Sequence, residues 1–174
     1  MTRSWMFVGL VAAFALAAAS PAHAKKVKPA KLTCEEFVGL AEDVRPEVVS
    51  WLDGYTQGGR PETAVGEVEV EREIAVLAVA CKETPNESLL TKIEKHLPGG
   101  KQRVKPTQMS CGEYLALESD RQPEVAAWLE GYGHGNAANV EAELDVDRDV
   151  VVWVEECKPA PKESVWSRVK KKLH

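Results

Sequence analysis

Four cysteines, at positions 34, 81, 111 and 157, are the residues of this chain whose side chains could do the most chemistry. A thiolate can hold a metal, attack an electrophile or pair as a disulfide. Zinc-type sites need close cysteine pairs or histidines at ligand spacing, and the sequence has neither. His134 stands alone between Gly133 and Gly135 and reads as a loop residue with no second ligand nearby. No serine nucleophile motif occurs, no histidine lies beside a candidate nucleophile, and no pair of carboxylates is singled out by spacing. The expectation is a chain that is not an enzyme, with no catalytic residue, no metal, no cofactor and no small-molecule substrate. That leaves the disulfides, whose existence depends on the compartment.

The N-terminus speaks to compartment. Arg3 precedes an apolar run from Trp5 to Ala19, which ends at the small-x-small site Ala22-His23-Ala24. This is the layout of a cleaved secretory signal peptide, residues 1–24. The run is too short to span a bilayer, since about 20 residues are needed, and no later stretch is long enough either. The expected product, Lys25 to His174, is soluble and exported. It loses Arg3 and no acid, which leaves 21 Lys and Arg against 27 Asp and Glu, a net charge of −6. That acidic balance argues against a nucleic-acid partner. Lys25-Lys26-Val27-Lys28 and Lys170-Lys171-Lys172 read as short solvated ends.

The elements that must position the cysteines occur twice. Pro46-Glu47-Val48-Val49-Ser50-Trp51-Leu52-Asp53-Gly54-Tyr55 returns 77 residues later as Pro123-Glu124-Val125-Ala126-Ala127-Trp128-Leu129-Glu130-Gly131-Tyr132. In each copy a Pro opens a helical run, apolar residues at helical spacing make one face, and Gly58-Gly59 or Gly133 and Gly135 close it. Cys34 and Cys81 are 47 apart, Cys111 and Cys157 46 apart, so pairing within each copy follows from the repeat.

Thr33-Cys34-Glu35-Glu36 and Ser110-Cys111-Gly112-Glu113 are capping boxes, each starting a short helix over roughly 34–42 or 111–119. A third helix carries Val70, Ile74, Leu77, Ala78 and Cys81 on one face, and Val146, Val150, Trp153, Val154 and Cys157 repeat that spacing. The β-branched run Val150-Val151-Val152 leaves a strand open in the second copy, although the matched spacing favours helix. A fourth, amphipathic helix bears Leu89, Leu90, Ile93 and Leu97, matched by Val165, Trp166, Val169 and Leu173. The fold class is therefore all-α: two tandem small four-helix modules, each stapled by one disulfide. The expected division is a flexible basic leader at 25–32, module 1 at 33–97, a breaker-rich linker at 98–107 and module 2 at 108–174. Domains of this size bury a modest core and usually need a staple. A closed loop of about 47 residues contributes roughly 4 kcal/mol in the chain-entropy picture.

Thr33-Cys34-Glu35-Glu36-Phe37, the Pro46 and Trp51 helix, Cys81 at the end of an apolar helix and a final basic amphipathic helix resemble the HdeA/HdeB family of periplasmic acid-stress chaperones. The likeness covers residues 32–97 and returns over 108–173. It implies an ATP-independent holdase that is folded and inactive near neutrality, loosens in acid and exposes apolar surface to unfolded or acid-denatured clients. On that reading clients meet Val48, Trp51, Leu52, Tyr55, Ile74 and Leu77 in the first copy, and Val125, Trp128, Leu129, Tyr132, Val150 and Trp153 in the second. Periodicity alone assigns the same residues to a core. Family members are typically self-associating single domains, so a tandem chain is expected as a monomeric pseudo-dimer or a homo-oligomer.

Charge supports an acid response. Protonating the 27 acids while 21 Lys and Arg and three histidines are positive swings the net charge from −6 to about +24. Such charge opposes compaction. Capping carboxylates such as Glu36 and Glu113 lend stability while ionised and lose it over roughly pH 5 to 2. The competing reading is a constitutive disulfide-stapled binding module of the cell envelope, which would bind its partner in the neutral folded state.

Overall fold

The computed structural model describes residues 26–59, 70–96, 105–135 and 142–173. The expected signal peptide, Leu97 and most of the expected linker lie outside them. Among the described residues the protein is all helical, with eight α-helices and isolated β-bridges only. The first half contributes α1 (Cys34–Val38), α2 (Arg45–Gln57), α3 (Val70–Glu83) and α4 (Leu89–His96). The second contributes α5 (Cys111–Leu115), α6 (Arg121–His134), α7 (Val146–Cys157) and α8 (Val165–Val169). The strand alternative for Val150–Val152 is thereby excluded.

Both capping boxes form. Glu36 Oε2 accepts from the Thr33 backbone N–H at 2.9 Å while Thr33 Oγ1 accepts from the Glu36 N–H at 3.3 Å. Ser110 and Glu113 reproduce the pair at 2.8 and 3.3 Å. The helices they start are shorter than expected, five residues each. The cause is a competing partner for the last carbonyls. The Arg45 guanidinium donates to Val38 O at 2.7 Å and Leu40 O at 2.9 Å, so those carbonyls need no further helical turn. Gln122, at the equivalent place, reaches Leu115 O and Leu117 O with its amide at 3.5 and 3.4 Å.

The start of α1 is clasped to the α3–α4 turn, because Cys34 N–H donates to Glu87 O and Glu35 N–H to Pro85 O, both at 2.9 Å. Cys111 to Glu163 O and Gly112 to Pro161 O repeat this at 2.8 Å. Disulfides Cys34–Cys81 and Cys111–Cys157 join α1 to α3 and α5 to α7, with Cα atoms 4.8 and 4.9 Å apart. The within-copy pairing expected from the repeat is the pairing present.

Two boundaries differ from expectation. The loose leader at 25–32 is instead held where it is described. Val27 is buried and exchanges backbone hydrogen bonds with Leu144 of the second half, and Pro29–Lys31 forms a 3-10 turn whose Pro29 is buried. A lysine-rich string reads as a tail, yet its single valine finds an apolar partner more than a hundred residues away. Likewise the C-terminal end of the linker belongs to the second half. Pro106 and Thr107 are buried in a matching 3-10 turn, and Ser164 Oγ donates to Thr107 O at 3.1 Å.

Candidate functional site

Eight of the residues proposed for client contact lie on α2 and α6, and the other four, Ile74, Leu77, Val150 and Trp153, lie on α3 and α7. Helices α2 and α6 cross in a close seam, and four glycines set the distance. A Cβ on Gly54 would overlap the Trp128 carbonyl, and one on Gly131 the Trp51 carbonyl. Gly58 and Gly135 face each other so closely that a Cβ on either would strike the other's Cα. Equivalent glycines therefore meet along both helices, so the crossing is parallel and relates the halves by a pseudo-two-fold. Glycine at four-residue spacing gives one helix face with no side chains, which lets backbones touch.

On either side of this crossing, Trp51 stacks on Tyr55 with ring centroids 5.4 Å apart, and Trp128 on Tyr132 at 5.3 Å. The tryptophans are essentially inaccessible, at 0 and 1% exposure. Trp51 also lies over the His134 ring at 6.2 Å, and Trp166 meets Tyr132 edge-on at 5.1 Å. His134 is thus a ring neighbour of the seam and not the plain loop residue expected.

A polar link crosses the seam. Trp128 Nε1 donates to Asp53 Oδ2 at 2.6 Å, and Gln57 Nε2 donates to the same oxygen at 2.8 Å. Asp53 is 2% exposed, so its charge is acceptable only with such donors. The repeat does not reproduce the link, because Trp51 Nε1 is buried without a hydrogen-bond partner.

Val48, Leu52, Leu77, Val125, Leu129 and Trp153 are buried as well, while Tyr55, Ile74 and Val150 are half-buried. They fall into two apolar clusters, one per half, and Ile74 touches both. The clusters are stitched across the seam: Ala127, Ala142 and Leu144 of the second half belong to the first cluster. Every residue proposed for clients is therefore core or core-edge in this folded state.

Sequence reasoning missed three features. It read the glycines as helix ends, although the Gly54-x3-Gly58 and Gly131-x3-Gly135 spacing was visible. It gave no role to Asp53. It also did not anticipate that Val76, Val79, Val151 and Val152 are exposed on α3 and α7.

Electrostatics reinforce the half-domains more than the seam. Glu87 pairs with Lys95 at 2.7 Å and with the nearly buried Lys92 at 2.9 Å. Those two ammonium groups lower its carboxyl to about 2. The Ser110 hydroxyl and backbone N–H hold Glu113 below the usual carboxylate range. Burial pushes the Tyr114 phenol upward. No group of His, Cys, Asp and Glu among the described residues could hold a metal ion, and no described helix is long and apolar enough to cross a membrane.

Comparison with known proteins gives a consistent result. The profile of the HdeA/HdeB family matches twice, over residues 5–91 and 95–167. Curated proteins named "Probable acid stress chaperone HdeA" from Brucella ovis, Brucella canis and Brucella suis are each 40% identical over 73 residues, 41% of this chain. The matched segment spans 64% of the length of those relatives. No solved structure is significantly similar.

Proposed function

Because this chain belongs to the HdeA/HdeB family, we propose that it is an ATP-independent holdase chaperone of the periplasm that loosens in acid and binds unfolded proteins. The single observation that carries this reading is the seam. The apolar faces suited to clients pack beside it, with Trp51 and Trp128 buried and each stacked on the tyrosine of its own helix, so on this reading they are unavailable until the halves part.

Acid supplies the force for parting. The chain becomes strongly cationic as its carboxylates protonate, and the self-repulsion acts on two small cores. The disulfides do not titrate, so α1 stays tied to α3 and α5 to α7 while α2 and α6 separate. Both client faces remain on one chain, which keeps their effective concentration high and favours bivalent capture. The tandem chain would then serve as its own dimer.

Light scattering of an aggregating client tests this. The disulfide-intact protein should suppress scattering at pH 2–3 and leave it unchanged at pH 7. Suppression at pH 7 alone would instead support a constitutive binding module.

A further inference from the structure

Because α2 and α6 cross in parallel, their C-terminal ends lie side by side, where Gly58 faces Gly135. Each end carries the partial negative charge of its last carbonyls, about half an elementary charge. A Cβ on Gly58 would come within 2.9 Å of the Tyr132 carbonyl oxygen, and one on Gly135 within 2.9 Å of the Tyr55 carbonyl oxygen. Carbonyls of both last turns therefore line the contact, and like ends meet. The last turn of α2 holds no basic residue, whereas that of α6 holds His134.

We propose that His134 is a mild-acid lock on the seam: it takes up a proton below about pH 6.5 and, as imidazolium, holds the two helix ends together until stronger acid protonates the carboxylates. The proposal deepens the acid-opening reading and rests on it for its purpose. Three features favour the charged ring. It ends α6, where a cation answers the carbonyls of both helices. It lies over the Trp51 ring at 6.2 Å with 27° between planes, at the edge of the about 6 Å reach of a cation–π contact. Glu130, 7% exposed, precedes it by four residues on α6, a spacing that makes side chains neighbours.

The repeat supplies an internal contrast. The offset of 77 places Glu130 and His134 at the positions of Asp53 and Gln57, where the Gln57 amide donates to the Asp53 carboxylate. The first pair has a donor that cannot titrate, and its counterpart has one that can. Groups on neighbouring elements do not reverse the sign. Helix α2 brings the Asp53 carboxylate and the Tyr55 phenol to the seam, and neither is a cation. Helix α7 carries Glu155, paired with Lys158, and Glu156, paired with Arg168 and Lys172. The C-terminal segment, whose Leu173 side chain a Cβ on Gly133 would touch, adds Lys170 and Lys171, both exposed and screened by solvent. The contribution of the imidazolium is present below about pH 6.5 and is lost as pH rises past it.

Urea unfolding of the disulfide-intact protein at pH 5.5 and 7.5, for wild type and His134→Gln, tests the lock. Glutamine is what the first half carries at this position, and near-UV circular dichroism at pH 7.5 checks that the variant keeps its fold. Lowering the pH from 7.5 to 5.5 should raise the folding equilibrium constant of wild type about fivefold more than that of the variant. Glu130→Gln should shrink the wild-type step. In the wild-type protein the Trp51 indole N–H resonance should move over the same pH range, which a packing role for His134 would not produce. Equal steps in wild type and His134→Gln, a larger step in the variant, or a Trp51 resonance indifferent to pH would overturn the lock. Client light scattering keeps this separate from the holdase reading. His134→Gln should suppress scattering from a higher pH than wild type, and suppression from the same pH would overturn the lock's role in opening. Suppression by neither protein in acid would overturn the holdase reading, while the unfolding comparison still decides the lock.

Discussion

Gly54 and Gly131 occupy the points where one helix backbone rests on the other, and neither tolerates a side chain without moving the pair apart. Gly131→Leu should therefore destabilise the protein by about 1–3 kcal/mol or more, read from urea unfolding at neutral pH. The same substitution at exposed Gly39 should cost far less. The two seam tryptophans make a sharper comparison because they are repeats of one another. Trp128→Phe takes a donor from buried Asp53 and should cost about 1–3 kcal/mol through that loss, in addition to the change in packing. Trp51→Phe removes an N–H that has no hydrogen-bond partner, so only the packing change remains. Equal destabilisation by the two variants would show that the Asp53 link contributes nothing.

Within each half, the short first helix is fastened twice, by a disulfide to the third helix and by backbone hydrogen bonds to the turn before the fourth. Glu87 adds an ionic tie from that turn to Lys92 and Lys95 on α4. Its folded carboxyl sits near 2, below its ordinary value of 4.5. The tie is therefore fully present above about pH 4.5 and disappears as pH falls through about 2. Glu87→Gln should flatten the pH dependence of stability in that window and shift the acid midpoint upward, as followed by near-UV circular dichroism. An unchanged midpoint would remove Glu87 from the switch. Much of this level was legible in the sequence. Helical spacing located Leu77, Cys81, Trp153 and Cys157 on buried faces, and the capping boxes marked where α1 and α5 begin. The end of α1 was not legible, because Arg45 takes its carbonyls from beyond the next turn. The Val27–Leu144 pairing was hidden by sequence distance, and the glycines of the seam looked like helix ends because their partners are in the other copy. Exposed Val76 and Val79 share α3 with buried Leu77, so composition alone could not separate the two faces.

At the scale of the whole molecule, duplication places both sides of the seam in one chain, so parting them is an intramolecular opening and not a dissociation. Opening should expose the Trp51 and Trp128 faces together. Closing should restore them on neutralisation, since the disulfides preserve the arrangement of α1 with α3 and α5 with α7. The central claim is that the seam is sealed at neutrality and meets clients only when acid opens it. Photo-crosslinking from a probe at Leu129, fully buried beside Trp128, tests this most directly, with a parallel probe at Leu52. The account predicts adducts with an unfolded client at pH 2–3 and none at pH 7, with both disulfides closed throughout. Adducts at pH 7, or none at pH 2–3 while the protein still suppresses client aggregation, would contradict it.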